Sequence, residues 1–202
     1  MLPRLYPIVD AANHGDSRQL LEFARQIISG GATLLQYRNK KGNARGMLSD
    51  ARNLKTMYGD KLRLIMNDRS DLCLAAGLDG IHVGQDDLST EAARLVVKKE
   101  KWIGVSTHNL QQAMEADETS ADYIAIGPIF GTRSKERPDP VVGLDGLKRV
   151  RAATRKPLVA IGGITLANCR STIDAGADSV AVISSLLTSP AKTTGDFLRV
   201  LM

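Results

Sequence analysis

Short apolar runs that lack a two-residue alternation recur from one end of the chain to the other. They are LYPIVD (5–10), TLLQYR (33–38), RLIMND (63–68), GIHVG (80–84), WIGVST (102–107), YIAIGPIF (123–130), PLVAIGG (157–163) and SVAVISS (179–185). Consecutive apolar positions in runs this short suit strands buried on both faces, as in a parallel sheet. Segments of helical pattern separate them. In SRQLLEFARQIIS, Leu20, Phe23, Ala24, Ile27 and Ile28 share one face, and Gly30 is placed to stop the helix. STEAARLVVKKEK precedes Trp102, and AKTTGDFLRVLM follows the last run. Eight strand–helix units predict an α/β fold, a compact (β/α)8 TIM barrel, over a doubly wound open sheet, which usually needs fewer strands.

No linker or low-complexity tract interrupts the pattern, so residues 1–202 are expected to form a single barrel domain. The charge clusters KKEK (98–101) and KRVRAATRK (148–156) read as solvated helix faces. A net charge of +5 favours anionic ligands without singling out nucleic acid. Aromatic residues make up only 4%, and no basic stretch is interleaved with stacking rings, so no nucleic-acid partner is expected. Cys73 and Cys169 lie in apolar helical patterns and read as buried thiols of a reducing, cytoplasmic compartment. No run approaches the roughly 20 apolar residues of a membrane span. MLPRLYPIVD enters a strand-like run almost at once, and no signal peptide is expected there.

Polar residues gather where the apolar runs end. Gln36, Arg38 and Lys40 close the second run; Asn67 and Asp68 the third; Gln85, Asp86 and Asp87 follow the fourth. Ser106 and His108, then Thr132, Ser134 and Lys135, then Gly162 and Gly163, then Ser184 and Ser185 follow in turn. In a barrel these positions fall at the C-terminal mouth, where active sites are built. Strand parity puts Gln36, Arg38 and Lys40 on one face and Tyr37 and Asn39 on the other. A guanidinium fork beside an ammonium suits phosphate. Asp68 and Asp87, from adjacent strands, suit Mg²⁺, which takes a few carboxylates and completes its shell with water and phosphate oxygens; each is also placed to cap a following helix. The glycines of IGGIT and the turn at Ile183 and Ser184 suggest a second anion site. Two anionic groups in one mouth fit an enzyme joining two phosphorylated substrates. His82 reads as a satisfied barrel histidine, and His108 as structural or peripheral.

Taken together, GGATLLQYRNK, NDRSDLCLAAGLDGIHVGQDDL, GVSTHN, ADYIAIGPIFGTRSK, AIGGIT and GADSVAVIS resemble the thiamine-phosphate synthase family, in the family's order, from residue 5 to about 187. The resemblance implies a transferase that joins hydroxymethylpyrimidine diphosphate to a thiazole phosphate, or its carboxylated form. The products are thiamine phosphate and pyrophosphate, and Mg²⁺ is required. It assigns Gln36, Tyr37, Arg38, Asn39, Lys40, Asn67, Ser106 and Lys135 to the pyrimidine diphosphate, with Arg38, Lys40, Ser106 and Lys135 catalytic. Thr132, Arg133, Ser134, Gly163, Ile183 and Ser184 fall to the thiazole phosphate, and Asp68 and Asp87 to the metal. The implied partners are two small phosphorylated substrates in the cytoplasm, and a homo-oligomer is compatible with the sequence. The family's P-T-x-T-K loop is here Gly131-Thr132-Arg133-Ser134-Lys135, where Ser134 keeps the hydroxyl and loses a methyl. Glu136 and Arg137 stand where lysine and aspartate are more usual. A thiazole tautomerase relative shares the fold, but Asp87 and the complete Gln36, Arg38, Lys40 set favour the synthase.

Overall fold

The computed structural model describes residues 1–59, 61–132 and 139–202. All eight apolar runs form parallel strands: β1 Leu5–Asp10, β2 Leu34–Arg38, β3 Arg63–Asn67, β4 Gly80–Val83, β5 Trp102–Thr107, β6 Tyr123–Ile126, β7 Leu158–Ile161 and β8 Ser179–Val182. They hydrogen-bond in sequence order, and β8 returns to pair with β1, so the sheet is a closed barrel. A helix follows each strand: α1 Ser17–Ser29, α2 Ala44–Tyr58, α3 Ser70–Ala75, α4 Thr90–Val97, α5 Leu110–Asp117, α6 Gly143–Ala153, α7 Cys169–Asp174 and α8 Pro190–Leu201. This is the (β/α)8 architecture expected from the pattern.

Two apolar layers explain why the strand runs do not alternate. Outward residues such as Leu35, Tyr37, Leu64, Met66, Ile81 and Ile103 pack against the helices, including Leu20, Phe23, Ala24 and Ile27 of α1. Inward residues, among them Tyr6, Ile8, Leu34, Ile65, Tyr123 and Val159, fill the barrel. Burial on both faces keeps most strand positions ahead of the C-terminal ends apolar. Both cysteines are free and buried. Among the described residues no helix is long and apolar enough to cross a membrane.

Local chemistry sets the helix starts. Asp16, Asn43, Ser89 and Asn109 each accept a backbone N–H three residues on, at 2.8, 2.9, 3.2 and 2.9 Å. Two expectations change here. The KKEK cluster is not a helix face, because α4 ends at Val97 and Lys98 takes a φ of 66°. Arg94 holds the turn by donating to the Lys98 and Lys101 carbonyls at 3.1 and 2.6 Å. Nor is Lys156 solvated: its ammonium donates to the carbonyls of Ala116, Asp117 and Thr119 at 3.3, 2.6 and 2.5 Å. It thereby occupies the negative end of the α5 dipole.

Candidate active site

The C-terminal ends of the strands open into one cavity of about 580 Å³. Gln36, Arg38, Lys40, Asn67, Asp68, Asp87, Ser106, Thr132, Gly163, Ile183 and Ser184 all line it, so residues from β2 through β8 face a single space. Arg133, Ser134 and Lys135 lie outside the described residues. A second groove of about 1070 Å³ continues past Arg38 and Lys40 toward the β1–α1 loop.

Parity holds along β2. Gln36 turns into the barrel and donates from Nε2 to the Tyr6 hydroxyl at 3.0 Å. Arg38 reaches the mouth and pairs with Asp10, a carboxylate at the end of β1 whose other oxygen accepts the Ala12 N–H at 3.1 Å. Lys40 extends to Asp68. Tyr37 differs from its neighbours: its ring lies in the helix layer and its hydroxyl donates to Asp50 of α2 at 2.9 Å, so its side chain is turned away from the cavity. Asn39 lines the second groove rather than the main cavity. Its Oδ1 accepts the Lys41 and Gly42 N–H groups at 3.2 and 2.7 Å, which folds the β2–α2 loop and aims its neighbours.

Neither Asp68 nor Asp87 caps a helix. The residue flanking α3 is Arg69, and Ser89 caps α4. Asp68 sits instead at a φ of 62°, a left-handed conformation that is uncommon outside glycine and often marks a site that needs it. Asp87 accepts the Gly84 N–H at 2.7 Å, which turns its carboxyl back over the end of β4. Burial pushes the Asp68 carboxyl above its ordinary range; Lys40 pulls it down and the adjoining Asp87 carboxyl pushes it up. Two carboxylates held against each other beside a cation form an all-oxygen donor set. No group of three or more acidic, histidine or cysteine side chains that could hold a metal occurs among the described residues. The pair therefore fits Mg²⁺ better than a metal wanting a complete protein cage.

Across the mouth, the β7 and β8 loops brace each other. Asn168 donates to the Gly163 carbonyl at 3.0 Å, and Ser185 Oγ donates to the Ile164 carbonyl at 2.7 Å. Gly163 has a φ of 66°, and a Cβ there would lie 2.6 Å from the Gly131 carbonyl oxygen. Only glycine lets the β6 and β7 loops approach this closely. Ser184 opens a short 3-10 turn, Ser184–Leu186.

Several cavity residues escaped the sequence reading. Asp10 read as a strand end, yet it orients Arg38. His82 is satisfied, as expected, but one of its partners is Ser106, at 2.8 Å. His108 lines the wall with Nδ1 2.7 Å from the Gly127 carbonyl oxygen and 3.5 Å from the Asp139 carboxylate. Tyr6 and Tyr123 lie beneath the cavity floor with their hydroxyls 2.8 Å apart. Parity within strands β1 and β6 was the available signal for these tyrosines, since both positions face inward.

The chain is similar to proteins of known family and fold. The family model described as thiamine monophosphate synthase matches residues 5–186. A thiamine-phosphate synthase of Koribacter versatilis is 59% identical over 203 residues, covering 99% of this chain and 96% of its own. Its counterpart from Chloroflexus aurantiacus is 43% identical over 187 residues, with 91% and 85% covered. Among solved structures, a thiamine phosphate pyrophosphorylase from Pyrococcus furiosus has a TM-score of 0.87 at 31% identity, covering 98% of this chain and 95% of that one. The chain belongs to the thiamine monophosphate synthase family, transferases of thiamine biosynthesis.

Proposed function

We propose that the barrel mouth joins hydroxymethylpyrimidine diphosphate to a thiazole phosphate, giving thiamine phosphate and pyrophosphate. The observation that carries this reading is the single cavity with cations and paired carboxylates on one wall and the Gly163, Ile183, Ser184 loops on the other. Two phosphorylated ligands can then meet without either leaving its anion site. Arg38, Lys40 and Asn67 hold the diphosphate, and the segment carrying Lys135 adds a further cation. Thr132 flanks the thiazole, whose phosphate lies at Gly163, Ile183 and Ser184; Arg133 and Ser134 belong to this site by the family resemblance alone.

Asp68 and Asp87 would hold Mg²⁺, which supplies charge neutralisation to the diphosphate oxygens when bound. The remaining work falls to the protein. The bond between the pyrimidine methylene and the diphosphate oxygen breaks, and its electron pair leaves with pyrophosphate. The electron-rich aminopyrimidine delocalises the positive charge that develops, and the thiazole nitrogen then closes the new C–N bond with its lone pair. No proton moves, in keeping with a site built from cations and hydrogen-bond donors. Arg38, Lys40 and Ser106 act by stabilising charge on the departing oxygens, where preorganised donors contribute most. Holding the thiazole in line supplies the rest. The protein is placed in the cytoplasm as one barrel domain, with these two small substrates as its partners.

Incubating the protein with both substrates and Mg²⁺, then converting product to fluorescent thiochrome, tests the reading. Fluorescence that needs both substrates is expected. Turnover of the thiazole phosphate alone, without coupling, would replace this proposal with an isomerase.

A further inference from the structure

Five inward side chains at the floor of the cavity form one hydrogen-bonded chain that crosses the barrel. Gln36 Nε2 on β2 lies 3.0 Å from the Tyr6 hydroxyl on β1, which is 2.8 Å from the Tyr123 hydroxyl on β6. Tyr123 lies 3.0 Å from His82 Nδ1 on β4, and His82 Nε2 is 2.8 Å from Ser106 Oγ on β5. The span from β4 to β6 is possible because the residue in register between His82 and Tyr123 is Gly104. Any Cβ at 104 would overlap the Tyr123 ring. Four of the five side chains are almost wholly enclosed, with Tyr6 and Tyr123 at 1% exposure. Tyr6, Gln36 and His82 touch the cavity wall, and Ser106 is the most open of the five.

Such a chain has a direction, because each hydroxyl has one proton and a neutral imidazole has one N–H. Burial pushes both tyrosine hydroxyls up and holds the His82 imidazole down at about 4, so all members stay uncharged at neutral pH. Gln36 presents its amide N–H to Tyr6. The Tyr6 oxygen accepts it, and its own proton goes to Tyr123, since a buried hydroxyl without an acceptor is costly. Tyr123 in turn donates to His82 Nδ1. His82 therefore carries its proton on Nε2 and donates to Ser106 Oγ. Ser106 has accepted, and its proton is left for whatever occupies the cavity. A chain running the other way needs the Gln36 carbonyl at Tyr6; Ser106 would then donate inward and show only lone pairs to an anion.

We propose that Tyr6, Tyr123 and His82 are positioning residues whose chain of protons holds the Ser106 hydroxyl as a donor toward the departing diphosphate. The proposal rests on the coupling reaction argued above for the ligand, and on the barrel interior alone for the direction. Donor and acceptor presented at the same place differ in sign, so the chain's sense decides whether Ser106 assists or opposes charge on the leaving oxygens. In this arrangement Tyr6, Tyr123 and His82 act through Ser106 and not on the reacting atoms.

The direct test is a long-range ¹H–¹⁵N correlation spectrum of the ring nitrogens in the full-length labelled protein. With three histidines in the chain, the His82 pattern can be assigned. The Nε2–H tautomer is expected, and the Nδ1–H tautomer would overturn the proposal. A kinetic cycle supplies the second readout. Tyr123→Phe is expected to lower kcat about fivefold, the loss of roughly one hydrogen bond, with KM for both substrates within about twofold. Added to Ser106→Ala it should cost nothing more. Independent, multiplying losses in the double variant would show that Tyr123 acts through packing, and the positioning role would fall. If the unaltered chain makes no thiamine phosphate, the coupling reaction fails while the spectrum still decides the direction of the chain.

Discussion

Arg38 is proposed to hold the diphosphate, and Arg38→Ala does two things that must be separated. The guanidinium is the ion-pair partner of Asp10, with side chains 22% and 8% exposed respectively. Removing one member of a buried pair costs about 3–5 kcal/mol because the other charge is stranded. The partial exposure of Arg38 lets water in, which lowers the expected loss to about 2–3 kcal/mol. For a chain of this length that is a fall in Tm of about 4–12 °C. Activity should drop for a different reason. Loss of a preorganised donor aimed at developing charge lowers kcat by about 10²–10³-fold. The double variant Asp10→Asn with Arg38→Ala removes the stranded charge along with the cation. Thermal melts should show most of the stability restored, while product formation stays as low as in Arg38→Ala. Binding titrations should show the diphosphate substrate weakened far more than the thiazole phosphate. If activity returned together with Tm, or if both substrates weakened equally, Arg38 would be a structural residue and the placement of the diphosphate would be wrong.

Three further outcomes follow from the geometry. Asp87→Ala removes one of the two carboxylates offered to Mg²⁺ and should lower turnover about a hundredfold at limiting Mg²⁺; turnover unchanged across a Mg²⁺ titration would dismiss its metal role. Gly163→Ala forces a Cβ to within 2.6 Å of the Gly131 carbonyl oxygen at a φ of 66°. It should cost about 1–3 kcal/mol and raise KM for the thiazole phosphate, whereas a wild-type melt and KM would refute the loop packing described. Acid stability carries the third. The folded chain holds the His82 imidazole at about 4, but the unfolded chain takes up that proton as pH falls through about 6.5. Between these values the unfolded state binds more protons, so stability present above pH 6.5 is lost on acidification toward pH 4, by about 3 kcal/mol. Urea unfolding at stepped pH should show this slope in the wild type and a shallower one in His82→Asn, where burial still holds the His14 imidazole down; equal slopes would contradict it.

How much of this was legible beforehand depends on how far each feature acts along the chain. The eight strands were readable because burial on both faces gives each a continuous apolar run, and inward and outward parity along β2 was readable because it needs only a period of two. Tyr37 and Asn39 shared a motif with Arg38, yet their side chains do other work: one braces α2 and the other folds a loop. Sequence adjacency cannot separate those roles without the register of the neighbouring elements. Asp68 and Asp87 looked equally fit to cap helices, and only the structure, with Arg69 flanking α3 and Ser89 capping α4, removes the capping role. The chain from Gln36 to Ser106 was hidden for a stronger reason. Tyr6 and Tyr123 are 117 residues apart, and their contact exists only once the barrel closes. Gly104, a glycine inside a strand, was a local trace of it beside the strand parity of the two tyrosines.

The central claim is that one cavity couples departure of pyrophosphate to attack by the thiazole nitrogen. Simultaneous measurement of pyrophosphate and thiamine phosphate, with the purified chain, both substrates and Mg²⁺, tests it most directly. The account predicts that the two products appear together in equal amounts and that neither forms in quantity when one substrate is omitted. Pyrophosphate accumulating without thiamine phosphate, or the absence of both, would contradict it.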